Sequence, residues 1–129
     1  MALGRDTCEI LALAAEAATD KLATDPVVVD VSERLGLSDA FLIASAPTDR
    51  QVRAIAEEIL DRLRGAAGID ALRIEGRTDA HWVLLDYGTC LVHVMTQGDR
   101  EYYALEKLWG DCPQFSADEL AEETSDAAQ

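Results

Sequence analysis

His81–Gly110 reads HWVLLDYGTCLVHVMTQGDREYYALEKLWG, and this stretch decides the fold. Its first half is two apolar strands joined at a tight Tyr87-Gly88 turn. A short helix carrying Tyr102, Tyr103 and Trp109 follows. Both tryptophans, all three tyrosines and both histidines of the chain fall within it. Aromatic side chains supply large contact area, so packing and recognition capacity are concentrated here. The residues upstream read as its scaffold.

Working outward toward the N-terminus, Leu72-Arg73-Ile74-Glu75 alternates apolar and charged residues, the pattern of a strand with one wet face. Gly76 to Asp79 then forms a turn into the hairpin. Before it, Thr48 and Gln51 have capping-box spacing, and Asp49 sits where a helix dipole favours an acid. Val52, Ile55, Ala56, Ile59, Leu60 and Leu63 make the apolar stripe of that helix, and Gly65 and Gly68 end it. Ala40 to Ser45 is apolar on both faces and therefore reads as a central strand. Val27 to Val31 is a short β-branched strand, followed by a connector over Ser32 to Ser38 with one helical turn around Glu33-Arg34-Leu35. A first helix over residues 7–23 is capped by Asp6 and stopped by Asp25-Pro26.

Helix, two strands, helix, three strands, helix: this order predicts a single α/β (α+β) domain over residues 1–113. It has a mixed five-stranded sheet packed with three helices. The second and third strands can pair in parallel around a crossover helix, and the last three form an antiparallel meander. From Gln114 to Gln129 the chain is polar, acidic and alanine-rich, which predicts a disordered tail.

At 129 residues there is room for one core. The net charge of −14 at pH 7 repels nucleic-acid phosphates and attracts basic partners. Cys8, Cys90 and Cys112 are odd in number and too scattered for a zinc pattern, so reduced thiols in a cytoplasm are the plain reading. No apolar run approaches the roughly 20 residues of a membrane span.

Along the strand after His81, Trp82, Leu84 and Asp86 share one face while Val83 and Leu85 share the other. Trp82 is either core or a recognition anchor. If helices cover only one face, Trp82 and Leu84 form an apolar patch, with Asp86, Tyr87, Arg73 and Glu75 as a polar rim. Asp86 is equally suited to capping the turn that follows it. Trp109 and Tyr102 read as anchors of the last helix. His93, between Val92 and Val94, reads as a core or interface histidine. No cysteine or carboxylate motif completes a metal site with His81.

Two motifs carry a resemblance. One is Asp39-Ala40-Phe41-Leu42-Ile43-Ala44-Ser45-Ala46 leading to Thr48-x-Arg50-Gln51. The other is Trp82-x-Leu84-Leu85-Asp86-Tyr87-Gly88 with Val92-His93 and Arg100-Glu101-Tyr102-Tyr103-x-Leu105-Glu106-x-Leu108-Trp109-Gly110-Asp111. Together, over residues 5–113, they resemble the bacterial ribosomal silencing factor family (RsfS, Iojap-related). The resemblance implies a translation repressor without enzymatic activity and without a cofactor. It implies a partner, the large ribosomal subunit, bound through its fourteenth protein so that the small subunit cannot join. It further implies a homodimer when free and a fold similar to nucleotidyltransferases. Thr89 departs from the family, which commonly has an acid after the Tyr-Gly turn. The rival reading is a divergent nucleotide-binding protein. Against it, the chain lacks a Gly-Ser dipeptide, and its body has a single acid-x-acid pair, Asp99-Arg100-Glu101, at a helix start.

Overall fold

The computed structural model describes residues 4–34 and 38–120. Four helices and six strands follow in the order α1 (Arg5–Asp20), β1 (Thr24–Asp30), β2 (Ala40–Ala46), α2 (Asp49–Ala67), β3 (Arg73–Glu75), β4 (Trp82–Asp86), β5 (Cys90–Thr96), α3 (Gln97–Tyr103), α4 (Leu105–Leu108) and β6 (Gln114–Ser116).

The strands form one mixed sheet in the order β3-β4-β5-β2-β1-β6. The expected meander is present: β3, β4 and β5 pair antiparallel in sequence. The parallel neighbour of β2 is β5, however, not β3. β2 and β5 are apolar on both faces and belong at the centre, where both are covered. β3 is three residues long and exposed throughout, which suits an edge. The chain therefore leaves β2 through α2 to the far edge, and the meander returns to insert β5 beside β2.

The sixth strand lies in the segment expected as tail. Gln114–Ser116 pairs with Val27–Val29 of β1, and Phe115 and Leu120 pack into the core beside α1 and α2. The boundary at residue 113 is therefore set too early. One apolar residue between two polar ones gives no periodic signal, and the strand exists because β1 offers an edge. Residues 121–129 lie outside the described residues.

α1 starts at an uncapped Gly4 in extended conformation, with Asp6 a first-turn acid rather than the cap. It ends at Asp20, where Leu22 takes φ 62°, so Asp25-Pro26 is already inside β1. On α2, Thr48 accepts a bond from the Gln51 N–H at 3.2 Å, as the spacing predicts. Gly68, at φ 67°, ends that helix, and Gly65 lies within it. The expected turn after β1 is present over residues 32–34. Its last residue, Leu35, lies outside the described residues.

α1 and α2 cover one face of the sheet. Leu11, Ala14 and Ala18 of α1 and Val52, Ile55, Ile59 and Leu63 of α2 pack there on Val28, Leu42, Ala44, Val83, Leu85, Val92 and Val94. The alanines let α1 approach closely. The other face holds a smaller cluster: Val29, Val31, Phe41, Ile43, Met95 and Cys112, with Trp82, Leu91, Leu105 and Trp109 against them. Only the short α3 and α4 lie on that side. The expected third helix is two, because Ala104 takes φ 49° and breaks it.

Candidate interaction surface

β4 sets out the surface by alternation. Val83 and Leu85 are buried under α2, while Trp82, Leu84 and Asp86 stay half-buried on the opposite face. Residues opposite one another in a ladder share a face. Asp86 lies opposite Arg73, and Leu84 opposite Glu75, so β3 places both charges beside the apolar strip. Arg73 Nε stands 3.7 Å from Asp86 Oδ2. With the Arg73 side chain 66% exposed, that pair contributes little stability.

Asp86 takes the capping role. Its Oδ1 accepts the Gly88 N–H at 2.8 Å and closes the turn, where Gly88 sits at φ 85°. Its other oxygen faces Arg73. Tyr87 is not brought to this surface. The alternation turns its ring into the core under the helices, where burial first, then Cys90, pushes its hydroxyl up to about 12. Thr89 is exposed at the turn.

From Trp82 the aromatic contacts run in two directions. Its Nε1–H donates to His93 Nδ1 at 3.1 Å, which leaves the proton of the neutral imidazole on Nε2. Burial pushes His93 down to about 4, so the ring is neutral near pH 7. His93 meets Phe41 edge-on at 5.1 Å, and Phe41 meets Trp109 at 5.7 Å. Outward from the sheet, Trp82 lies 4.8 Å from Tyr103, and Tyr103 lies 5.0 Å from Tyr102. His93 is thus a packing residue within an aromatic row. Its ring contacts tie the smaller core to the exposed tyrosines.

Trp109 and Leu105 anchor the last helical segment, as expected of Trp109. Tyr102 does not: it is 82% exposed. The break at Ala104 changes the helical phase, so a stripe that runs through it in sequence does not run through it in space. Leu108 is exposed as well. The sequence pattern assigns no contact to Tyr103, although it is the ring that touches Trp82. His81 Nδ1 lies 2.7 Å from Asp99 Oδ2 and ties the start of β4 to the start of α3. Among the described residues no group of three or more His, Cys, Asp or Glu is placed to hold a metal, and no helix is long and apolar enough to cross a membrane.

The surface is therefore an apolar and aromatic strip of Trp82, Leu84, Tyr103 and Tyr102. Arg73, Glu75 and Asp86 border it.

Comparison with known proteins gives a consistent result. The family model described as "Ribosomal silencing factor during starvation" matches residues 5–129. Ribosomal silencing factor RsfS of Bacillus subtilis is 45% identical over 104 residues, 81% of this chain and 87% of that protein. A crystal structure of a Chromobacterium violaceum protein superposes with a TM-score of 0.76 at 38% identity, covering 79% of this chain and 84% of that one. A second, from Bacillus halodurans, gives 0.71 at 39% identity, covering 83% and 96%.

Proposed function

The chain belongs to the ribosomal silencing factor family, and from that membership we propose that it represses translation as a passive obstacle on the ribosome. It binds the large subunit through that subunit's fourteenth protein, on the surface that faces the small subunit, and the two subunits then fail to join. The reading requires no chemistry, cofactor or metal, and it places the protein in the cytoplasm, as a homodimer when free.

One observation carries it: the strip of Trp82, Leu84, Tyr103 and Tyr102 on the sheet face that α1 and α2 leave uncovered. An apolar, aromatic centre with a charged border is the anatomy of a binding surface. The net charge of −14 supports the choice of partner, because ribosomal proteins are basic and opposite fields speed encounter. Thr89 contributes no charge at the turn, so the electrostatic part of binding falls to Glu75, Asp86 and the acidic body.

Sedimentation through a sucrose cushion tests the reading. The full chain should travel with large subunits and not with small ones, and Leu84→Arg should abolish this with an unchanged circular-dichroism spectrum. Equal co-sedimentation of Leu84→Arg would reject the strip as the contact. Light scattering over a range of concentrations tests the dimer.

A further inference from the structure

α3 sits on the open side of the sheet without one buried residue, so apolar burial does not explain why it stays there. Its hold is polar. The Arg100 side chain is only 12% exposed and makes four hydrogen bonds. Nη1 donates to the Thr24 carbonyl at 2.9 Å and to Ser45 Oγ at 3.0 Å. Nη2 donates to the Asp25 carbonyl at 2.8 Å, and Nε to Glu106 Oε1 at 2.7 Å.

Two of those acceptors lie at an irregularity in β1. Thr24 lies opposite Ser45 and Val27 opposite Ile43, so β1 carries one residue more than β2 in this interval. Asp25 takes φ 42°, and Pro26 has no N–H to give. An inserted residue leaves backbone groups outside the ladder. The planar guanidinium fork meets the Asp25 carbonyl there together with that of Thr24, the last paired residue before the irregularity.

Tyr103 follows Arg100 by three positions, which puts the two on neighbouring parts of the helix surface. The ring of Tyr103 lies 4.8 Å from Trp82. A clasp at Arg100 thereby fixes an aromatic contact one turn away. We propose that Arg100 is a positioning residue of the docking strip: without touching the partner, it holds α3 so that Tyr103 backs Trp82 and Tyr102 stands out beside it. The link to docking rests on the function proposed above, whereas the positioning is measurable without a ribosome.

The experiment uses the full chain carrying Trp109→Phe, which leaves Trp82 as the single tryptophan. Arg100→Met and Arg100→Lys are introduced into it. Arg62→Met is the control, because Arg62 bridges Asp20, Glu16 and Glu58 on the α1–α2 side of the sheet. Acrylamide quenching of Trp82 should rise in both Arg100 variants, less in the lysine one, which keeps charge but loses the fork. Affinity for large subunits should fall about tenfold or more, with the circular-dichroism spectrum retained. Arg62→Met should change neither readout. Should the methionine variant fail to fold, the lysine variant carries the comparison. Unchanged Trp82 quenching overturns the positioning role whatever the ribosome does. Raised quenching with unchanged affinity overturns the link to docking. A parent chain that does not bind large subunits overturns the proposed function instead, and quenching alone then decides Arg100.

Discussion

Replacing Trp82 by alanine separates what the ring does for the fold from what it does for the partner. Removing a fully buried tryptophan costs about 3–5 kcal/mol, but Trp82 is half-buried, so the packing loss is about 2 kcal/mol. The lost bond from its indole N–H to His93 Nδ1 adds about 1 kcal/mol. The resulting loss of about 3 kcal/mol is less than the 5–15 kcal/mol typical of a domain, so the variant stays folded. Trp82→Phe keeps most of the ring contact with Tyr103, gives up only the hydrogen bond, and should lose about 1 kcal/mol. Urea unfolding measures both values. Binding should respond more steeply: truncating a central aromatic anchor costs about 2 kcal/mol or more, roughly thirtyfold in affinity. Two results would refute this reasoning. Full affinity in a destabilised Trp82→Ala would make the residue scaffold alone, and outright unfolding would mean its core role outweighs the half-burial.

His93 supplies a pH signature. Burial pushes it down to about 4 from an ordinary 6.5, so below 6.5 the unfolded chain binds a proton that the folded chain refuses. Its stability contribution is complete above about pH 6.5 and is lost as pH falls toward 4, by about 3 kcal/mol. His93→Gln should flatten urea midpoints across that window, and a slope equal to wild type would exclude His93 as its source. Gly76, at φ 78°, has no room for a side chain, since a Cβ there runs into the Trp82 carbonyl. Gly76→Ala should cost about 2 kcal/mol or more and free β3, seen as faster amide exchange at Arg73–Glu75. Wild-type exchange there would contradict the turn geometry.

The elements and their alternation were legible because local chemistry determined them. Thr48 and Gln51 capped their helix, Gly68 ended it, and Trp82 to Asp86 alternated as a strand with two different faces. Arg73 and Glu75 share a face with Asp86 and Leu84 because the strand period is two and residues paired across a ladder point the same way. What was not legible depends on distant partners. β6 forms only because β1 offers it an edge, and β5 rather than β3 lies next to β2 because of how the meander closes. Ala104 gives no warning of its left-handed conformation, so Tyr102 reads as an anchor and Tyr103 is given no contact of its own. Tyr87 is separated from the strip by one residue of alternation, which a contiguous motif conceals.

Under the proposed function, the folded chain stands where the small subunit must dock. Purified small and large subunits mixed in associating buffer, with the full chain at stoichiometric excess over large subunits, test it most directly by sedimentation. The account predicts that the joined-ribosome peak collapses into separate subunits with the chain on the large one, and that Leu84→Arg restores the peak. An undiminished joined-ribosome peak in the presence of the wild-type chain would contradict it.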